Sequence, residues 1–323
     1  MHLWNIFKPK KRNNWEPVPH HFVKSAPLRA TLHEEGLAVQ PFLSPDQLLA
    51  LRRLYEQEHQ LENSDQGGMF YSVYSQDTPY RRRVHEAIQA ILQPALDALL
   101  TDYRTVLNSF IIKMNGPASE FALHQDTTGL DETQYSSLSL WIPLEDITEQ
   151  NGALCVVKRS HRLFSPYRSI SFPPPYAGIK HTIKDYLEPV FMKAGEALLF
   201  DNRLLHYSLP NRSDHNRVIV MCGIFPQEAP VVTCFKSPGD PRIELIQHED
   251  DFMINYPNFF VDCHQKPTVG QTIGYVADTY GPMTEKAFLR ACREHGIQKT
   301  NYLRNALSQG YLQGEPVLEK TAR

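Results

Sequence analysis

Over residues 106–225 the chain is assembled from short runs rich in β-branched and aromatic residues: VLNSFIIKMN, SSLSLWIPLE, GALCVVKRS, EALLFDN and NRVIVMCGIF. Glycine, proline and asparagine stand between them. This texture leaves few options, because several short strands separated by turn residues make an all-β sandwich or barrel. Helical patterns flank the strands. Ser44-Pro45 reads as an N-cap followed by proline in the first turn, with Leu48, Leu51 and Leu54 as the apolar stripe behind it. A longer helix is predicted over residues 79–103, with Val84, Ile88, Ile91 and Leu92 on one face, continued by Leu96 and Leu99, and Pro94 expected to kink or split it. A third begins at Thr284 and ends at Gly296.

The 323 residues suffice for a sizeable core, and 41% hydrophobic with 21% charged residues is ordinary for a soluble globular protein. A net charge of −3 argues against nucleic acid as the main partner. No apolar run approaches the ~18–20 residues needed to span a membrane. The opening MHLWNIFKPKKRNN is not read as a secretory signal, since its basic run follows the short apolar part instead of preceding it. It is read as a solvated arm. Five cysteines without a Cys-x-x-Cys pair point to a reducing, cytoplasmic compartment, with Cys155 and Cys222 as core residues.

His124-Gln125-Asp126 is unremarkable alone. On a β-scaffold, however, residues i and i+2 project to one side, so His124 and Asp126 can reach one metal ion. A second imidazole is available downstream at His206, within LLHYS, and Arg217 opens the next strand eleven residues later. Two imidazoles and one carboxylate on one face of a metal, with open positions opposite, suit a non-haem iron oxygenase. Arg217 suits bidentate binding of a carboxylate, with Ser208 placed to add a hydrogen bond. Two other readings stay open: a metal hydrolase, which would not need Arg217, and a non-catalytic binding protein that kept the pocket.

The ordered set HEEGLAVQPFLSPDQL, HQDTTG, SLWIPLEDITEQNGALCVVKRSH, AGEALLFDNRLLHYSLPN and Arg217 resembles the phytanoyl-CoA dioxygenase family of Fe(II)/2-oxoglutarate oxygenases, over residues 33–226. The resemblance implies a mainly β fold with flanking helices, built on a double-stranded β-helix (jelly roll). It implies His124, Asp126 and His206 as iron ligands and Arg217 and Ser208 as 2-oxoglutarate contacts. Trp141, Thr127 and Lys113 are carried over as further cosubstrate contacts. The expected cofactors are Fe(II), 2-oxoglutarate and O2. The expected reaction is hydroxylation of an unactivated C–H in a small molecule, free or linked to CoA or a carrier, with release of succinate and CO2. Desaturation, cyclisation and epimerisation are the alternatives on the same cofactors. Halogenating relatives lack the carboxylate, so Asp126 points to hydroxylation. The run Lys158-Arg159-Ser160-His161 departs from the family pattern, which leaves the following loop without a template.

The expected organisation is an irregular arm over residues 1–30, an oxygenase domain over 31–282 with a proline-rich lid over about 164–176, and a C-terminal helical extension over 283–323, a candidate interface. Arg81, Arg82 and Arg83 are either a solvated face or an anionic handle for a substrate or carrier. Tyr71, Tyr74 and Tyr80 either line a pocket mouth or pack. His161 is expected to shape a turn, and His20 and His21 to lie on the surface.

Overall fold

The computed structural model describes residues 16–59, 68–163, 165–256, 265–279 and 281–308. Half of the expected N-terminal arm, residues 1–15, lies outside them. The rest is not irregular up to residue 30. Ser25 accepts the N–H of Leu28 and starts helix α1 (Ala26–Glu35), with Pro27 in its first turn. Leu32 is its one buried residue, so α1 has little apolar stripe to announce it.

Strands β1 (Leu37–Pro41), β2 (Met69–Tyr71) and β3 (Tyr103–Lys113) lie around helices α2 (Pro45–Glu58) and α3 (Thr78–Leu99). Strands β4 (Phe121–His124), β5 (Leu138–Pro143) and β6 (Leu154–Val156) follow, then the short helix α4 (Lys180–Ile183). Next come β7 (Glu188–Val190), β8 (Glu196–Asp201), β9 (His206–Ser208) and β10 (Arg217–Pro226). These strands form two antiparallel sheets. The larger has the order β1-β8-β5-β10-β3-β2 and the smaller β4-β9-β6-β7. Together they are the two walls of a jelly roll.

Alternation along the strands sorts side chains to the two faces of the large sheet. Val218, Val220, Cys222 and Ile224 of β10, with Phe110, Ile112, Leu140 and Ile142, pack outward against Leu51 of α2 and Val84, Ile88, Leu92 and Leu96 of α3. Ile111, Trp141, Leu198 and Ile219 point inward and meet Leu123, Leu154, Val156 and Tyr207 of the small sheet. Both faces of β10 are therefore covered, which explains its almost continuous apolar sequence. Helix α3 runs unbroken through Pro94.

A third sheet, β11 (Val231–Phe235), β12 (Arg242–His248) and β13 (Gln271–Ala277), follows beyond the predicted strand region, with the short helix α5 (Phe252–Asn255) between its last two strands. The segment expected as a lid packs on this sheet: Tyr167 and Phe172 join Val232, Cys234, Ile243, Leu245 and Val276 in one cluster. Residues 165–168 are buried, so this part is an inner wall and not a surface flap. Helices α6 (Glu285–Glu294) and α7 (Tyr302–Ser308) press Phe288, Cys292, Leu303 and Ala306 into the inter-sheet core.

Candidate metal centre

His124 ends β4 and His206 opens β9, and the two are directly paired across the small sheet. Their ring centroids are 4.0 Å apart. Asp126 follows where the chain leaves β4, with its N–H held by the carbonyl of Asn202 at 3.0 Å. Its Oδ1 lies 3.9 Å from His124 Nε2 and 3.8 Å from His206 Nε2. One ligand atom from each of the three residues falls within 4.8 Å of the others, a cluster that could hold a metal ion.

The protonation of both rings is set by the main chain. His124 Nδ1 is 2.8 Å from the carbonyl of Ala122, and His206 Nδ1 is 2.9 Å from that of Leu204. A carbonyl only accepts, so each Nδ1 carries the proton and each Nε2 presents a lone pair towards Asp126 Oδ1. Burial, with His206 alongside, holds His124 well below the usual imidazole range and so keeps it neutral. Asp126 Oδ2 lies 3.3 Å from Ser139 Oγ, which turns Oδ1 towards the imidazoles.

Arg217 faces inward at the start of β10 and is buried. Its Nη1 donates to the carbonyl of Gly152 at 2.7 Å, and its guanidinium lies 4.9 Å from the Trp141 ring centroid. Its Nε has no partner, and neither does the buried Oγ of Ser208, two residues beyond His206. Buried polar groups are nearly always paired, so a carboxylate accepting from both would fit. Burial lowers the Arg217 pKa to about 10, still cationic at neutral pH. Trp141 thus supports the guanidinium face.

Lys113 is directly paired with Arg217 in the sheet. Expected as a cosubstrate contact, it instead donates to the carbonyls of Ser119 at 2.8 Å and Leu209 at 2.5 Å. Burial and the neighbouring Arg217 depress its pKa well below the usual lysine value. Thr127 is half-buried beside Asp126, but the engaged hydroxyl is that of Thr128, which donates to the carbonyl of Pro166 at 2.9 Å and accepts the N–H of Arg168 at 2.8 Å.

Arg168 and Tyr176 are residues that the sequence reading missed. Arg168 Nε donates to the carbonyl of Asp126 at 2.8 Å, while its two terminal nitrogens grip Glu132 at 2.5 and 2.6 Å, out of solvent. Tyr176 accepts the N–H of Gln125 at 3.0 Å. Tyr71 stands 4.6 Å from the Tyr74 ring and 6.1 Å from that of Phe121, and burial pushes its phenol well above the usual tyrosine value.

All three side chains of the arginine triplet have partners within the chain. Arg81 is buried, with donors spent on the carbonyls of Ile254 and Ser75 and the Thr78 hydroxyl. Arg82 binds Asp251 and Asn255, and Arg83 binds Glu58. Tyr80 packs in the outer core. His20 is not on the surface, because its Nε2 lies 3.2 Å from Asp201 Oδ2 and 3.1 Å from the Ser137 carbonyl.

A jelly roll holding two imidazoles on paired strands of its small sheet, with one carboxylate just beyond, has the ligand set of a mononuclear metal centre. The sequence model of the phytanoyl-CoA dioxygenase (PhyH) family matches residues 32–219, more than half of the chain, and the protein belongs to that family. The phytanoyl-CoA dioxygenase domain-containing protein 1 homolog of Dictyostelium discoideum is 28% identical over 148 residues, 43% of this chain and 50% of that protein. Phytanoyl-CoA dioxygenase of Arabidopsis thaliana is 32% identical over 114 residues, 33% of this chain and 39% of that one. The matched segments thus span half or less of these curated relatives. Among solved structures, HygX of Streptomyces hygroscopicus with nickel, 2-oxoglutarate and hygromycin B is 17% identical, with 63% of this chain and 88% of that chain covered and a TM-score of 0.45. The epimerase SnoN with Fe3+, α-ketoglutarate and nogalamycin RO is 19% identical, covering 81% and 96%, with a TM-score of 0.48.

Proposed function

We propose that the protein is an Fe(II)- and 2-oxoglutarate-dependent dioxygenase that hydroxylates an unactivated C–H of a small molecule, with release of succinate and CO2. The observation that carries this reading is the conjunction of two Nε2 lone pairs facing one Asp126 oxygen with unpartnered donors on Ser208 and Arg217. His124, Asp126 and His206 would hold the iron, and Arg217 and Ser208 the distal carboxylate of 2-oxoglutarate. Bound iron and 2-oxoglutarate would supply the oxygen-activating redox chemistry. The chain's own part is positional. The Ala122 and Leu204 carbonyls keep both imidazoles in the ligating tautomer, and Ser139 orients the carboxylate. Trp141 and the Gly152 carbonyl fix the guanidinium plane. The free thiols of Cys155, Cys222, Cys234 and Cys292 support a reducing, cytoplasmic compartment. No helix among the described residues is long and apolar enough to cross a membrane.

The test is anaerobic addition of Fe(II) and 2-oxoglutarate. A metal-to-ligand charge-transfer band is expected, with succinate formed once air is admitted, and both are expected to vanish in His206→Ala. A protein that forms neither, or an Asp126→Ala variant that hydroxylates fully, would sink this reading.

A further inference from the structure

Of the ten residues of β10, Met221 alone is not buried. The strand has β5 and β3 on its two sides, and its outer face is covered by α2 and α3. Met221 points inward, since Val220 and Cys222 on either side of it face the helices. An opening therefore reaches the inner face of the large sheet at this point. Cross-strand pairing fixes where it lies. Met221 is paired with Trp141, whose ring centroid is 4.9 Å from the Arg217 guanidinium. The next inward position, Gly223, is paired with Ser139, whose hydroxyl is 3.3 Å from Asp126 Oδ2. His124 and Asp126 keep 29% and 32% of their side chains exposed, so the opening leads to the metal ligands. Gly223 leaves it unfilled, because an added Cβ would meet nothing closer than 3.4 Å, at Val106 Cγ2. The wall is aromatic. Phe121 meets the His124 ring edge-on at 4.5 Å, Tyr71 lies 6.1 Å from Phe121, and Tyr74 lies 4.6 Å from Tyr71. All three rings are partly exposed. Tyr71 and Met221 each pack against both the inter-sheet core and the cluster around Phe225 and Val231, so they border the gap between the two. Buried cations around the centre are committed: Arg168 to Glu132, Arg203 to Asp201, and Lys113 to two carbonyls. None of these three is left to receive an anionic substrate group. Ring faces and a thioether favour another ring over an alkyl body of equal area.

We propose that this gap seats an uncharged aromatic ring of the organic substrate beside the metal, with Met221 and Gly223 as its floor and Tyr71, Tyr74 and Phe121 as its wall. This rests on the oxygenase reading of the centre. It makes Gly223 a specificity-determining position, because a large side chain there would occupy the space that the ring needs.

The test uses the full chain loaded anaerobically with Fe(II) and 2-oxoglutarate. 2-Naphthol, its saturated counterpart trans-2-decalol and the anion naphthalene-2-sulfonate are titrated calorimetrically into wild type, Gly223→Leu and Tyr74→Leu. Each protein is checked for folding by its melting temperature and for cosubstrate binding by its charge-transfer band. 2-Naphthol is expected to bind wild type about threefold or more tightly than the decalol and about tenfold or more tightly than the sulfonate. Gly223→Leu should weaken 2-naphthol about tenfold or more. Tyr74→Leu should weaken it about two- to tenfold and abolish the preference over the decalol. Equal affinity of wild type for 2-naphthol and either other probe overturns the proposal, as does 2-naphthol binding unchanged in folded Gly223→Leu. Where Gly223→Leu does not fold, unchanged binding in Tyr74→Leu overturns it in the same way. A missing charge-transfer band before any probe is added would strike the oxygenase reading instead, and the isotherms are read in either case.

Discussion

Arg168 Nε reaches the main-chain carbonyl of Asp126 at 2.8 Å, so the proline-rich segment holds the loop that carries this candidate carboxylate ligand. The same guanidinium forms a bidentate pair with Glu132, and both side chains are buried. Thr128 completes the attachment, bonding both Pro166 and Arg168. The segment thus sets the geometry of the metal loop from one side, while Tyr167 and Phe172 fasten it to the third sheet on the other.

Arg168→Met leaves Glu132 buried and unpaired, and should destabilise the protein by about 3–5 kcal/mol. The double variant Arg168→Met with Glu132→Leu removes both charges and should recover much of that loss. Metal affinity should stay weakened in the double variant, because the hydrogen bond to Asp126 is still missing. Denaturant melts and Fe(II) titrations below the melting temperature separate the two effects. A double variant with wild-type metal affinity would make the pair purely structural.

Arg217 and Ser208 should part in a diagnostic way. Arg217→Ala removes a charge-assisted contact worth roughly 1.5–3 kcal/mol, which predicts a 2-oxoglutarate requirement raised about ten- to hundredfold. Ser208→Ala removes a single hydrogen bond from an uncharged donor and should raise it less, by about tenfold. Without cosubstrate the signs differ: Ser208→Ala deletes a buried hydroxyl that has no partner, so its melting temperature should hold or rise. Calorimetric 2-oxoglutarate isotherms and melts of the apo-variants check both.

What could be read from the sequence follows from how each feature is encoded. The strands of the two walls were legible because burial on both faces gives dense runs such as RVIVMCGIF. Strand β13 exposes most of its residues and left no comparable pattern. The candidate ligand cluster could be anticipated because His124 and Asp126 stand two residues apart and His206 and Arg217 stand in one short segment, although Asp126 lies just past the end of β4 and is placed by the Asn202 carbonyl instead of by strand alternation. The Arg168–Glu132 pair joins residues 36 apart, one of them in a stretch whose prolines read as loop, and nothing local signals an arginine destined for burial. Lys113 shows the opposite error, since a polar residue at the right strand position can be consumed by nearby carbonyls.

Gly152 ties Arg217 to the backbone. Its φ is +82°, and a Cβ there would lie 2.5 Å from Lys113 Cδ and 2.8 Å from the Leu209 carbonyl oxygen. Its own carbonyl accepts from Arg217. Gly152→Ala should therefore cost roughly 1–3 kcal/mol in backbone strain alone and also raise the 2-oxoglutarate requirement by shifting Arg217. Gly116→Ala is the control, with a φ of +119° and nothing within 4 Å of an added Cβ. It should share the strain and leave cosubstrate binding unchanged. Equal 2-oxoglutarate affinities in the two variants would break the link between Gly152 and Arg217.

His161 makes stability depend on pH. Its Nε2 lies 3.1 Å from the carbonyl of His33, and its buried Nδ1 has no partner. Burial lowers its pKa from 6.5 to about 3; the charges of Arg203 and Arg162 act in the same direction, and Asp201 opposes them. The folded protein therefore keeps the ring neutral, while the unfolded chain takes up a proton below its ordinary pKa. The stability tied to this ring is complete above that pKa and drains as pH falls towards the folded value, with a limiting slope of about 1.4 kcal/mol per pH unit. His248, lowered to about 4 by burial, adds to the wild-type slope. Urea unfolding from about pH 7 down to about pH 5 should show stability falling, and His161→Asn should flatten that fall by up to the slope of one ring. An unchanged slope in His161→Asn would mean that the ring is protonated in the fold, and that the Nδ1 left without a partner is satisfied by water.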